Sequence, residues 1–368
     1  MDESFALYRL PHAATFHVVR QQAGLPRQFL RYEDLTNVQG FVFAPFSADA
    51  ETPIVLIEGT HEVCSIPMPS EAGLADVPSA FLPSACMEEQ AGAWPFALFH
   101  RQLLSEQFRK IVLSRVVELP FCLSNDAEKA RNRHSLARSE AEKYEAMLRL
   151  FFRACNLYPR MMIALVATPQ TGVWLTATPE VLLEEENNMF HTMALAGTQN
   201  MGRGEWKENE VAWDDKNIKE QRYVATYIAR CLKPFAHDID EEGPYTQRAG
   251  HLAHLRSDFY FQMNDRRLLG KLLATLHPTP AVCGLPKQET LGFIQRNEPR
   301  RRRYYSGFCG PLDCEKGTHL YVTLRCMELT KTAYRLYAGG GLLKDSMQKK
   351  EWDETEAKLD TMRRLLKE

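Results

Sequence analysis

Residues 109–119 read RKIVLSRVVEL and run into Pro120. The β-branched and aliphatic content makes this stretch a strand closed by a proline. Side chains alternate along a strand, so Lys110, Val112, Ser114 and Val116 share one face. A lysine therefore heads a face otherwise built from valine and serine. Such a lysine can snorkel from a strand end to water, or it can point into a site. The stretch alone leaves both readings open.

Outward from this strand, the chain alternates clusters of strands with long helices. MMIALVATP, GVWLTATPEVLLEE and FHTMALAGT read as three strands in succession, and HLAHLRSDFYFQM, YYSGFCGPLD, HLYVTLRCMEL and AYRLYAGGGLL as four more. FALFHRQLLSEQF, RSEAEKYEAMLRLFFRACNLY, KNIKEQRYVATYIARCLKPF and KKEWDETEAKLDTMRRLLKE carry apolar residues three and four apart, which predicts helices. Residues 1–92 are short apolar runs such as GFVFAPF and TPIVLIEGT and predict a β-rich part without a motif. A polar, charged connection spans Ser124 to Arg138. Strand clusters mixed with helices, without regular βαβ alternation, predict the α+β class. No repeat, low-complexity tract or linker interrupts the 368 residues, so a single domain over 1–368 is expected.

Composition narrows the function. With 45 Lys+Arg against 47 Asp+Glu, nothing favours nucleic acid or an anionic membrane. The run Arg300-Arg301-Arg302-Arg303 reads as a solvated approach to the next strand. No eighteen-residue apolar run is present, so no membrane span is expected. The acidic start MDESFALYRL and nine scattered cysteines, an odd number, predict reduced thiols and a cytoplasmic protein. No coiled-coil or other assembly signal appears, so a monomer is expected.

Several carboxylates sit where apolar residues belong. The stripe Tyr223, Val224, Tyr227, Ile228 and Cys231 extends back to Glu220. A carboxylate there is costly unless paired or metal-bound, although a helix start also favours a glutamate. Glu351, Glu354 and Lys358 share one face of the last helix, either as an ordinary exposed pair or as part of a site. Two helices that each offer a carboxylate can meet over a hard cation such as magnesium. Glu180 lies between apolar runs in LTATPEVLLEE. It is either a turn residue or a carboxyl held protonated by low dielectric. Arg325 stands mid-strand in YVTLRCMEL and needs a buried partner, for which a substrate carboxylate is one candidate. AGGGLL ends a strand on three glycines, which make either a turn or an anion cradle.

Taken together, KIVLSR, TATPEVLL, ALAGT, DKNIKEQ, HLRS, HPTPAVCGLP, YVTLRC, YAGGGLL and EWDETEAK resemble, in order, the chorismate-utilising enzymes. That family comprises the isochorismate, salicylate, anthranilate and aminodeoxychorismate synthases. The resemblance covers roughly residues 95–365. It implies a fold of large antiparallel sheets packed as a core with helices outside, with 93–368 the recognisable catalytic part and 1–92 variable. It also implies chorismate as substrate and Mg2+ as cofactor. Glu220 and Glu354 match the metal carboxylates, and Glu351 reaches the ion through water. Arg325, Lys358 and the amides of Gly339, Gly340 and Gly341 match groups that hold carboxylates and the enolpyruvyl arm. Gly197 and Thr198 line the ring site and His254 packs near it. Glu180 matches the general acid and Lys110 the general base, which on this resemblance points into the site. Where the family often has Glu-His, this chain has Glu220-Gln221, which puts the local surroundings of the metal ligand in doubt.

Two positions separate the members. Ala196 stands where one type of aminodeoxychorismate synthase carries a nucleophilic lysine, and Lys110 stands where ammonia-using members carry glutamine. Water is a poor nucleophile and needs a base, which ammonia does not. The resemblance thus implies isochorismate synthase, in menaquinone or siderophore biosynthesis with the first preferred. The alternatives are a salicylate synthase, which goes on to eliminate pyruvate, and a non-catalytic relative.

Overall fold

The computed structural model describes residues 3–67, 94–120, 140–202, 206–249, 252–313 and 317–367. The connection read between Ser124 and Arg138, and the end of the N-terminal part from residue 68, lie outside the described residues. Two nine-stranded antiparallel sheets make the core. The first runs β14 (Gly284–Leu285), β7 (Lys110–Pro120), β18 (Ala333–Leu342), β17 (Cys326–Leu329), β9 (Gly172–Thr178), β8 (Met162–Thr168), β1 (Phe5–Arg9), β2 (Thr15–Gln21), β6 (Gly59–Ser65). The second runs β12 (Ala236–Ala249), β13 (Leu252–Met263), β11 (Met189–Asn200), β10 (Val181–Glu186), β16 (Thr318–Val322), β15 (Phe308–Leu312), β4 (Gly40–Ala44), β5 (Ile54–Ile57), β3 (Arg27–Phe29). Strands from residues 1–67 thus join both sheets.

The sheets pack face to face, and helices cover their outer faces. On β8, Met162, Ala164 and Val166 join the cluster between the sheets, where they meet Phe41, Phe43, Trp174 and Leu195. Ile163, Leu165 and Ala167 face the other way, onto helix α2 (Glu140–Leu157) through Met147, Leu150 and Phe151. With both faces covered, the strand has no polar side, which is why it reads as an unbroken apolar run. Helices α3 (Asp215–Leu232) and α4 (Leu269–Leu276) cover the second sheet through Val224, Ile228, Leu272 and Leu273. Two further helices, α1 (Phe96–Leu104) and α5 (Lys287–Asn297), pack beside β7. The last helix, α6 (Gln348–Arg363), lays Leu359 and Met362 on the first sheet. Among the described residues no helix is long and apolar enough to cross a membrane. The six cysteines among them are free.

Four sequence expectations change. GVWLTATPEVLLEE is two strands, because the chain leaves the first sheet at Thr178 and enters the second at Val181. HLYVTLRCMEL also splits, and Arg325 is not mid-strand: it lies between β16 and β17 with φ of 42°. AGGGLL does not end its strand at the glycines, since β18 continues through them to Leu342 opposite Ile111. The basic run is not solvated throughout. Arg302 is buried, its Nε donating to Glu298 at 2.8 Å and its Nη2 to the Val112 carbonyl at 2.9 Å. Arg303 pairs with Glu328.

Candidate active site

The two changes of sheet lie side by side and are tied together. Thr178 Oγ1 donates to the Val322 carbonyl at 2.6 Å, and the Val322 amide donates to the Glu180 carbonyl at 2.9 Å. Thr176 Oγ1 donates to the Leu324 carbonyl at 2.7 Å, and the Ala177 amide to the Arg325 carbonyl at 3.1 Å. Glu180 and Arg325 therefore come to one end of the sandwich. Both line a cavity with Gly197, Thr198, Glu220, His254, Gly339, Gly341 and Lys358.

Glu180 is buried. Burial pushes its carboxyl up to about 7, against the lowering effect of Arg325, Lys110 and Lys358. A carboxyl in that range can hold a proton near neutrality. His254 is buried and stays neutral, because desolvation and the charges of Arg325 and Lys358 lower its pKa well below the usual range. Its Nε2 lies 2.9 Å from Arg325 Nη2, and its Nδ1 lies 3.2 Å from the Gly197 carbonyl and 3.3 Å from Thr198 Oγ1. Arginine can only donate, so Nε2 accepts and Nδ1 carries the proton. Among the described residues no carboxylate lies within ion-pair distance of Arg325. A buried guanidinium is thus turned to the cavity and held by an imidazole.

Lys110 is fully buried, and the water-facing alternative for it is excluded. Its Nζ stands 2.9 Å from Glu220 Oε1. The approach is close enough for an ion pair, but Nζ makes no well-aligned hydrogen bond among the described residues. Burial raises the Glu220 carboxyl, but Lys110 and Lys216 outweigh it and hold Glu220 below its ordinary value. Gly341 makes this meeting possible: a methyl group there would come within 2.1 Å of Glu220 Oε1 and 3.0 Å of Lys110 Cε.

Glycines 339–341 do not act as one group. Alternation turns Gly339 and Gly341 to the cavity and Gly340 to α6, where Glu351 Oε2 lies 3.6 Å from the site of a missing Cβ. Strand β17 begins opposite Tyr337, so the glycines pair with β7 on one side only. On the free side Lys358 Nζ donates to the Gly339 carbonyl at 3.0 Å and to Glu354 Oε1 at 2.6 Å. Gly197 has φ of 80° at a break in the β11–β13 register, where a Cβ would meet the Asn217 carbonyl at 3.1 Å. That bulge, which only glycine accommodates easily, presents the Thr198 amide to Asn217 Oδ1 at 3.0 Å.

Three residues were missed by sequence reasoning. Lys216 donates to Glu351 Oε1 at 2.6 Å; its spacing of four from Glu220 was an available signal. Asn217 anchors the bulge and is itself held by the helix cap Asp214 at 2.8 Å. Tyr305 lines the cavity and stacks on Tyr337, and nothing in its local sequence points there. At the doubtful Gln221, Nε2 donates to Ser257 Oγ at 2.7 Å, away from Glu220's pairing.

The carboxylates fit a hard cation that is completed by other oxygens. The described residues hold no group of three His, Cys, Asp or Glu side chains that could by itself hold a metal. Yet Glu220, Glu351 and Glu354 each commit one oxygen to a lysine, and the buried Glu351 Oε2 has no partner. Burial and the neighbouring Glu354 raise the Glu351 carboxyl, against Lys216. Such oxygens would suit an ion that keeps water and substrate oxygens in its shell.

Fold and pocket together define a two-sheet sandwich with a lysine–carboxylate pocket at one end. The chain belongs to the chorismate binding enzyme family, which matches residues 97–367. Isochorismate synthase EntC of Escherichia coli K12 is 31% identical over 196 residues, 52% of this chain and 50% of that protein. The chain thus spans about half the length of such curated relatives in the matched region. Among solved structures, MenF, the menaquinone-specific isochorismate synthase of Escherichia coli, superposes with a TM-score of 0.78 at 20% identity, covering 99% of this chain and 89% of that one. Anthranilate synthase component I from Streptococcus pneumoniae TIGR4 gives 0.64 at 14% identity, covering 98% and 90%. These two likenesses establish the fold.

Proposed function

We propose that the protein is an isochorismate synthase, adding water at C2 of chorismate and expelling the C4 hydroxyl. The observation that carries this is a buried carboxyl, Glu180, pushed up to about 7, on a cavity that Glu220 also lines, with the buried Lys110 paired to Glu220 behind it. Arg325, with no carboxylate in ion-pair distance among the described residues, is suited to a bidentate contact with a substrate carboxylate. Lys358 and the free edge of Gly339 and Gly341 suit a second anionic group. Glu220 and Glu354 would hold Mg2+, with Glu351 behind them through water, and the ion would neutralise and orient the ring carboxylate.

In its neutral amine form Lys110 takes a proton from the attacking water, whose oxygen bonds to C2 as the ring double bond shifts. Glu180 gives its proton to the departing C4 oxygen, which leaves as water rather than hydroxide. One proton moves back from Lys110 to Glu180 through solvent before the next turnover. The two groups need their protons held in opposite senses, which is the mark of an acid/base pair. Ala196, beside Gly197, offers no amine to trap the ring. Similarity to EntC, named an isochorismate synthase, supports the activity. The menaquinone-specific MenF supports menaquinone biosynthesis as its setting, and a siderophore pathway would use the same product.

The test is turnover of chorismate in oxygen-18 water with excess ammonium, followed by mass spectrometry. Isochorismate carrying one labelled oxygen is expected. Salicylate with pyruvate would make the protein a salicylate synthase. An aminated product would show that Lys110 does not select water, and no turnover at all would mark a non-catalytic relative.

A further inference from the structure

Three carboxylates in this site meet three lysines, and the pairs are not equivalent. Lys110 is fully buried against Glu220, and Lys358 is fixed twice, on Glu354 and the Gly339 carbonyl. Lys216 has one hydrogen-bond acceptor, Glu351 Oε1 at 2.6 Å, and its side chain is 22% exposed. It lines a second cavity with Asp214, Asp345, Asp353 and Lys350, a net acidic lining in which Asp353 already pairs with Lys349 and Asp214 accepts from Asn217. Its partner is the opposite: Glu351 is 1% exposed, and its Oε2 has no partner. Glu220 and Glu354 also stand in the field of Lys216.

We infer that Lys216 is a displaceable counter-ion, which holds Glu351 in the metal-free protein and swings into the second cavity when a divalent cation binds. This rests on the magnesium assignment proposed above. The physical case is one of exchange. An ionised carboxylate this deeply buried is costly without a positive partner. Before a cation arrives, Lys216 alone among the described residues supplies one at hydrogen-bond distance. Glu351 Oε2 makes no hydrogen bond among the described residues, so it can face a cation or its water while Oε1 is still occupied. Once the cation is in place, the ammonium faces a like charge, and Asp214, Asp345 and Asp353 give it somewhere to go. Neither Lys110 nor Lys358 has that exit. Lys216 is therefore a positioning residue that sets the affinity for the cation by competing with it.

The test titrates Mg2+ into chelator-stripped full-length protein by calorimetry, with melting temperature as a second readout. Lys216→Met should bind Mg2+ about two- to fivefold more tightly than the wild type, the scale of one partly exposed ion pair that no longer has to break. Without Mg2+ the variant should melt below the wild type, and saturating Mg2+ should close the gap. Lys216→Arg should stay near wild-type affinity. If wild type and Lys216→Met bind equally, or the variant binds more weakly, Lys216 does not compete and the inference fails while the metal assignment stands. If neither protein takes up Mg2+, the metal assignment itself fails and takes this role with it.

Discussion

Replacing Glu180 by glutamine should stabilise the protein at alkaline pH while disabling it. Glu180 moves from an ordinary carboxyl value of 4.5 to about 7, chiefly by burial. Below pH 4.5 the group is protonated in folded and unfolded chains alike and adds no penalty. Between 4.5 and 7 the unfolded chain ionises freely while the folded one holds its proton, so stability falls as pH rises. Above 7 the loss is complete. About 7 less 4.5 is about 2.5 pH units, and at about 1.4 kcal/mol each the loss is about 3 kcal/mol. Glutamine keeps the shape and never ionises, so the variant escapes this loss. Urea unfolding of both proteins at pH 5 and pH 8.5 gives the comparison. The difference, variant minus wild type, should grow by about 2–3 kcal/mol between the two pH values. Turnover should fall at least ~100-fold, the scale for removing a positioned proton donor. A difference that stays flat with pH, or that shrinks, would mean that Glu180 is already ionised at low pH and cannot be the acid.

Three further outcomes are expected. Gly341→Ala places a methyl 2.1 Å from Glu220 Oε1, so it should cost ~1–3 kcal/mol by overpacking and nearly all turnover; an active, stable variant would show that Glu220 need not stand where it does. Lys110→Met should leave Glu220 buried with one partner fewer and destabilise by ~3 kcal/mol, and adding Glu220→Gln should restore much of that stability but no turnover. Additive losses in this double-mutant cycle would refute a direct pair. Chelator-stripped protein should lose turnover and regain it with Mg2+; activity that survives stripping removes the metal from the reaction.

Much of the fold was legible because period and burial agree. The strand MMIALVATP reads correctly since both its faces are covered, and helix α3 reads correctly since one stripe packs on the second sheet. The misreadings have physical reasons. HDIDEEGPYTQRA went unassigned, yet it forms most of β12, an exposed edge strand whose acidic side chains hide any alternation. Arg302 reads as solvated because its partner Glu298 lies just past helix α5, which was not foreseen. In the site, residue types alone raised Lys110, Glu180, Glu220 and Arg325 as open questions. Gly197, Thr198 and His254 came only with the resemblance, because a bulge glycine and a histidine tautomer depend on strands far apart in sequence. Lys216 was missed because a lysine near a helix start looks like any solvated one.

The position of the acid follows from how the sandwich is wired. A strand covered on both faces carries a charged side chain only where it finds a partner, and polar groups also collect where the ladder is interrupted. Two interruptions come from the same cause, the passage of the chain from one sheet to the other at Pro179–Glu180 and at Thr323–Arg325. Each passage leaves backbone groups short of strand partners, and each supplies them to the other through Thr176, Thr178 and the Val322 and Ala177 amides. Glu180 and Arg325 are therefore placed by one set of bonds, and the positive φ of Arg325 is part of that join. Helices α3 and α6 then bring their carboxylates to the same end, Glu220 over Gly341 and Glu351 over Gly340. One passage from the first half of the chain meets a passage and two helices from the second half there, which is why short motifs so far apart in sequence belong to a single site.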